Sequence, residues 1–298
     1  MKQIATKKIK DSFGDRVFMG CVLALTFLIL CATLYPLIYV VSASFSSSEA
    51  VMNGEVYFLP VGLSLDGYME VFQNEDIVVG FKNTVIYTVV GTAINMILTT
   101  LLAYPLSRKQ FRGRKILMFL IVFTMYFNGG LIPTFLVVDK LHMVDSIWGL
   151  VMPTAISTFN LIIMRTYFEN SIPEELAEAA SLDGCDHFRF MFHVLLPLST
   201  PILAVLVLYY AVGHWNQYFN ALIYLRSSEK ISLQLALRNI LMANQVSSGS
   251  TGGFTEMAQI SLTVKYAVIV VSSLPVVILY PFIQKYFVKG VMVGAIKG

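Results

Sequence analysis

Long apolar runs restrict the fold of this chain more than any other feature of its sequence. Six stretches are long enough to cross a bilayer, which needs about 20 apolar residues per helix. They lie near residues 17–41, 84–106, 116–138, 146–164, 198–225 and 266–287. In lipid a backbone must satisfy its own hydrogen bonds, so such runs are expected to be helical. The sequence therefore predicts an all-α polytopic membrane protein, with six transmembrane helices in one transmembrane domain that covers residues 1–298.

The basic residues predict how these helices are oriented. Cytoplasmic loops of membrane proteins carry an excess of Lys and Arg. If both termini are inside, fifteen of the 21 Lys and Arg residues are cytoplasmic: five before residue 17, five between 108 and 115, Arg165, Arg189, and three after residue 284. This distribution predicts an N-in, C-in topology, with outside loops at 42–83 and 226–260. Topology and contact with membrane lipid thus account for the net charge of +3, which indicates no nucleic-acid partner.

One amphipathic stretch, residues 169–197, lies between two apolar runs on the predicted cytoplasmic side. Its pattern predicts two short helices joined by a turn. Ser171 is a candidate N-cap for the first helix, and Asp186 is a candidate N-cap for the second. Gly184 is expected to form a left-handed turn between them, and Pro197 is expected to stop the second helix. A membrane protein with such a pair between two spans has a surface suited to a soluble partner.

The same stretch carries a spaced motif. Glu178-Ala179-Ala180 is followed after three residues by Gly184, and after nine more by Val194-Leu195-Leu196-Pro197. This resembles the EAA loop of permeases from bacterial type I ABC importers, with valine in place of the more usual isoleucine. The resemblance implies a pair of coupling helices that fits into a groove of a cytoplasmic ATPase. The implied coupling residues are Glu178, Ala179, Ala180, Asp183, Gly184 and Pro197.

The fifth apolar run carries the side chains best suited to contact a sugar. In YYAVGHWNQYFNALIYL, aromatic rings alternate with amides, and rings cover the C–H faces of sugars while amides bond hydroxyls. Asn216 and Asn220 are four residues apart, so they share a face in a continuous helix. The candidate substrate-path residues are Trp215, Asn216, Tyr218 and Asn220. Structural packing explains Trp215 and Asn216 equally well.

The resemblance covers nearly the whole chain, and it includes the C-terminal tail, where Gly294 and Lys297 are expected to contact the ATPase. It implies a permease subunit of the maltose-type carbohydrate uptake family, in the bacterial cytoplasmic membrane, that serves an ATP-driven, binding-protein-dependent importer of oligosaccharides. The nearest patterns are those of permeases for pectin- or alginate-derived oligosaccharides. The implied partners are a second homologous permease, two copies of an ATPase that binds ATP and Mg²⁺, and an external solute-binding protein. The chain itself is expected to bind no cofactor or metal.

Two other kinds of transporter are alternatives. One is an ABC permease for a different small solute, and the other is an ion-coupled secondary carrier, which needs ionisable groups near the middle of the membrane. Asp, Glu, Lys and Arg are absent from the middle of every predicted span. His214 is therefore the candidate ionisable group within a predicted span. The sequence has no G-x-x-x-x-G-K-[ST] motif, so the chain is not itself the ATPase. We therefore expect a non-catalytic subunit whose energy comes from a partner.

Overall fold

The computed structural model describes residues 12–248 and 256–295, and within them the regular secondary structure is helical. The α-helices are α1 (Phe13–Ser44), α2 (Ser48–Met52), α3 (Asp66–Gln73), α4 (Glu75–Ser107), α5 (Arg114–Tyr126), α6 (Leu131–Lys140), α7 (Ile147–Val151), α8 (Thr158–Ser171), α9 (Glu174–Leu182), α10 (His187–Phe190), α11 (Leu196–Leu198), α12 (Thr200–Trp215), α13 (Phe219–Tyr224), α14 (Leu233–Ser248) and α15 (Glu256–Ala295). Short 3-10 turns lie at Met152–Thr154 and Ser228–Lys230, and a π-helical turn lies at Met191–Leu195. The predicted all-α class is confirmed for the described residues.

Helices able to cross a membrane are fewer than the apolar runs suggested, because several runs are broken. Among the described residues, α1, α4 and the Thr263–Pro281 part of α15 are long and apolar enough on their own. Three helix pairs qualify only together: α5 with α6, bent by 114°; Ile147–Thr154 with α8, bent by 55°; and His187–Leu198 with α12, bent by 85°. If each bent pair is one span, the total is six.

The break between α5 and α6 follows from its glycines. Gly130 has a φ of 90°, a conformation that side chains rarely adopt, and the Asn128 side chain accepts a hydrogen bond from the Gly130 N–H at 3.0 Å. The run 116–138, predicted as one span, is therefore two helices. Glycine loosens the helix here, as its backbone freedom leads us to expect.

One compact unit comprises Met1–Glu70 and Ser247–Val270. The membrane-length window of α1 is entirely exposed, as expected for a helix that faces lipid or another subunit. Its last turn packs against α2 through Ala43, Ala50 and Val51, with Tyr266 of α15 at the edge of this cluster. Hydroxyl hydrogen bonds close the turn, including one from Ser42 Oγ to the Phe58 carbonyl at 2.7 Å.

The second unit comprises Val71–Val246 and Val271–Gly298, and α4 is at its centre. This helix has 33 residues and is therefore about 50 Å long. It buries a stripe of small and polar residues with helical spacing, which lets neighbouring helices approach closely. The stripe includes Gly80, Thr84, Gly91, Asn95, Thr99 and Ala103. Helices α8 and α12 pack along it.

Candidate functional site

A helical hairpin, which we define as residues 174–198, lies next to the C-terminal end of α4. Pro173 precedes α9 with an extended backbone, and Gly184 has a φ of 74°, the predicted left-handed turn. The Asp186 side chain accepts the Arg189 N–H at 2.8 Å and caps α10 as predicted. The N-cap predicted at Ser171 is wrong: that residue ends α8. Proline forces the residue before it into an extended backbone, so α9 begins only after Pro173.

The second half of the hairpin ends close to the predicted position. The π-helical turn at Met191–Leu195 leads into α11, where Pro197 lies in the first turn that proline tolerates. The helix ends at Leu198, and the chain bends by 85° into α12. The helix end thus lies one residue after the predicted stop, and Pro197 itself lies inside α11.

One face of the hairpin is exposed and the other is packed. Ala177, Ala180 and Cys185 pack against the core of the second unit. The motif residues Glu178, Ala179, Asp183, Gly184 and Pro197 are exposed. Beside the turn, Leu182 is 89% exposed and Phe188 is 67% exposed. The hairpin thus presents an apolar tip flanked by carboxylates, which is a surface suited to a protein partner.

Cation–π contacts and an ion pair attach the hairpin to α4. The Arg108 guanidinium lies over the rings of Tyr104 and Phe190, at 5.1 and 5.2 Å from their centroids. Lys109 pairs with Glu174 at 3.2 Å, and the Tyr104 hydroxyl is 3.1 Å from the His187 ring. Burial lowers the pKa of Arg108, while the nearby Tyr104 and Glu174 oppose this shift. Several contacts therefore connect the C-terminal end of α4 to the hairpin.

A cavity of about 200 Å³ lies at the base of the hairpin. Arg108, Lys109 and four glutamates line it. Glu169 is paired with Arg114 and Arg165, whereas Glu178 is exposed and has no ion pair among the described residues. Glu178, which also lines the cavity, is the acidic residue of the Glu178-Ala179-Ala180 motif.

The predicted substrate-path residues lie where the fifth run breaks. Helix α12 ends at Trp215 and α13 begins at Phe219, so the run predicted to be continuous over 198–225 is not one helix. The expectation that Asn216 and Asn220 share a helical face was wrong for that reason. Asn216 is exposed, and Tyr218 and Asn220 are partly exposed.

Trp215 has the contacts of a packing residue. It is 6% exposed, its indole N–H donates to the Ser272 carbonyl at 2.9 Å, and Phe81 packs edge-on against it at 5.7 Å. The side-chain amide of Asn216, the residue that follows α12, donates to the Val212 carbonyl of that helix at 3.0 Å. Of the two alternatives for Trp215, these contacts favour packing.

Buried polar side chains form a series of hydrogen bonds at the break after α12, which the sequence analysis did not predict. The Asn95 amide donates to the Thr154 carbonyl at 2.9 Å, and its oxygen is 3.0 Å from His214 Nε2. His214 Nδ1 is 3.2 Å from the Gln217 side-chain oxygen, and the Gln217 amide donates to the Leu150 carbonyl at 3.0 Å. Carbonyls freed by broken helices are thereby satisfied inside the bundle. The sequence signal for these hydrogen bonds was Asn95, an amide among the small and polar residues that α4 buries.

At the N-terminal end of α4, Asp145 ties two loops together. Its carboxylate accepts the backbone N–H groups of Arg226 and Ser227, the Ser227 hydroxyl at 2.6 Å, and the Lys230 ammonium at 3.0 Å. These hydrogen bonds, from Ser227 first, hold the pKa of Asp145 well below its ordinary value. The segment that follows is bonded to α4, since the Leu233 N–H donates to Thr84 Oγ1 at 2.9 Å. The start of α14 is therefore firmly positioned.

Two further expectations concern metals and the tail. Within residues 12–248 and 256–295, no group of three or more His, Cys, Asp or Glu side chains is placed to hold a metal ion. Gly294 lies near the end of α15, whereas Lys297 lies outside the described residues.

These features define a class: a helical membrane protein with broken spans and an exposed helical hairpin. Residues 95–293 match the family described as binding-protein-dependent transport system inner membrane component, and the chain belongs to that family. It is thus a permease component of an ABC transporter and is not catalytic, since ATP hydrolysis belongs to a partner ATPase.

Comparison with known proteins gives relatives of this chain along almost its whole length. The chain is 45% identical to the "Polygalacturonan/rhamnogalacturonan transport system permease protein YtcP" of Bacillus subtilis (strain 168), over 97% of this chain and 100% of the relative. It is 37% identical to the protein LplC of the same organism, over 95% and 93% of the two chains. A solved structure of a bacterial ABC transporter involved in the import of the acidic polysaccharide alginate matches with a TM-score of 0.83 and 37% identity, covering 94% of this chain and 100% of the other.

Proposed function

We propose that this chain forms half of the translocation path of an ATP-driven importer of oligosaccharides, with fragments of acidic polysaccharides as substrates. The observation that carries the proposal is the exposed hairpin, whose motif residues face away from the core while its other face is packed. Such an arrangement has no structural need within a lone subunit, and it fits a docking element for the ATPase. Glu178 is the candidate for a charge-assisted contact, and Gly184 for setting the angle between the two helices.

The substrate class is supported by the relatives. One is named for polygalacturonan and rhamnogalacturonan transport, and the solved transporter concerns alginate, so both are associated with acidic polysaccharides. Near the break after α12, Asn216, Tyr218 and Asn220 remain candidates for the path. A second homologous permease would complete the cavity wall.

We further propose six spans with both termini inside, which places the hairpin in the cytoplasm. The working complex then has one copy of this chain, a second homologous permease, two ATPase subunits and an external solute-binding protein. ATP and Mg²⁺ would be bound by the ATPase pair. Gly294 and Lys297 of the tail are candidates for a second ATPase contact.

Thiol labelling tests the orientation. In a background without Cys21, Cys31 and Cys185, we would introduce Leu182→Cys in the exposed hairpin or Glu229→Cys at the other end of α4. A membrane-impermeant maleimide should label the second variant in intact cells and the first only after permeabilisation. The opposite pattern would overturn the topology.

Uptake by cells tests the substrate class. A strain that lacks this chain should lose uptake of labelled oligogalacturonides or alginate fragments, and the wild-type gene should restore it. Uptake of a neutral oligosaccharide serves as the control and should be unaffected. If the deletion abolished only neutral sugar uptake, the acidic assignment would be wrong.

A further inference from the structure

Arg238 on α14 is a cation that forms no ion pair with the side chains that the structure describes. Its guanidinium carbon lies 5.7 Å from the centroid of the Tyr218 ring, and its side chain is partly exposed. Among the described side chains, the ion pairs are Lys109–Glu174, Arg114–Glu169, Arg165–Glu169 and Lys230–Asp145, and none involves Arg238. The Asp145 carboxylate is already occupied by Ser227 and Lys230.

The position of Arg238 is well supported. The first turn of α14 is anchored through Thr84, and Leu235 and Ala236 are buried in a cluster with Leu150 and Ala221. Tyr218 packs against the same cluster. The ring and the guanidinium are therefore presented by two anchored segments, which limits the conformational entropy that binding would cost.

The chemistry of this pair suits a carboxylate. A guanidinium held over an aromatic ring by a cation–π contact does not use its N–H groups as hydrogen-bond donors to that ring. These groups form a fork that matches a carboxylate with two parallel hydrogen bonds. Tyr218 belongs to the same helix break as Asn216 and Asn220, whose amides suit sugar hydroxyls. Amides and rings alone do not distinguish an acidic sugar from a neutral one. A cation favours the acidic sugar through its charge as well as through hydrogen bonds.

We propose that Arg238, oriented by Tyr218, selects acidic oligosaccharides by binding the carboxylate of a uronate residue as it enters the path. This inference rests on the proposed function and adds to it the residue that determines specificity. It places recognition of the charge within the permease, in addition to any selection by the external binding protein.

The test uses the complete complex in proteoliposomes and two probes of equal length. One probe is an oligogalacturonide, and the other is its fully methyl-esterified form, which keeps the rings but has no charge. The ratio of their uptake rates isolates the carboxylate from every other contact. Arg238→Gln should lower this ratio about tenfold or more, as loss of a charge-assisted hydrogen bond predicts. Arg238→Lys, which keeps the charge without the fork, should give an intermediate ratio.

The control is Arg226→Gln, an exposed arginine whose backbone N–H, rather than its side chain, makes the described hydrogen bond. It should leave the ratio unchanged. An unchanged ratio of uptake rates in Arg238→Gln would overturn the proposal. If both rates fell equally, the role of Arg238 would be structural. If Arg238→Gln fails to assemble, the ratio in Arg238→Lys decides between the same outcomes. Absence of oligogalacturonide uptake by the wild type would instead contradict the proposed function.

Discussion

Replacing Gly184 with valine should strain the hairpin turn without a steric clash. Gly184 has a φ of 74°, and a Cβ built there would meet nothing within 4 Å. Within this chain, the effect must therefore come from the backbone. Valine is β-branched and strongly disfavours the left-handed conformation, whereas asparagine tolerates it. The substitution consequently separates the angle of the hairpin from its surface chemistry.

The size of the effect follows from the conformational cost. A left-handed conformation costs an L-residue about 1–2 kcal/mol. That energy lowers the population of the observed turn by a factor of about 5–30. If the ATPase binds this turn, its affinity should fall by a similar factor, because the competent conformation is less populated.

Copurification of the ATPase and sugar uptake, measured at matched membrane levels, check this prediction. Gly184→Val should reduce both, and Gly184→Asn should keep most of both. Gly113→Val is a matched control, since Gly113 also has a positive φ of 88° and open space around its Cβ but lies outside the hairpin. Wild-type ATPase binding by Gly184→Val would refute the reasoning that this turn sets the docking geometry.

Three further predictions concern single contacts. Glu178→Ala should weaken ATPase binding about tenfold or more, because a charge-assisted contact is lost; equal affinities would remove Glu178 from the interface. Gly91→Val should lower the thermal midpoint in detergent, since its side chain would lie 2.6–2.9 Å from the His214 ring, and overpacking costs about 1–3 kcal/mol. Gly20→Val, which meets nothing, should not change the midpoint. Asp145→Asn should be less stable than wild type at neutral pH. Because the folded protein holds the pKa of Asp145 low, this difference should shrink as the pH falls below about 4, and a difference independent of pH would contradict the assignment.

The sequence predicted the local features of the hairpin well. Gly184 and Asp186 act through their own turn and cap, so their roles depend on residues only a few positions away. The N-cap prediction at Ser171 was wrong because Pro173 restricts the backbone of the residue before it, which prevents a helix from starting at Ser171.

Contacts between distant parts of the chain were not predictable in the same way. The bond between Asn95 and His214 joins residues 119 positions apart. The break after Trp215 also has a distant contact, since the Gln217 side-chain amide donates to the Leu150 carbonyl, 67 positions away. An apolar run shows that a segment can lie in lipid, but it does not show where neighbouring helices interrupt it.

Uptake by purified components tests the central claim most directly. This chain, its homologous permease, the ATPase and the solute-binding protein would be reconstituted in proteoliposomes with labelled oligogalacturonide. We predict uptake that requires all components together with ATP and Mg²⁺, and that Gly184→Val abolishes or strongly reduces. Sugar flux through this chain alone, without ATP, would contradict the assignment as a coupled permease subunit.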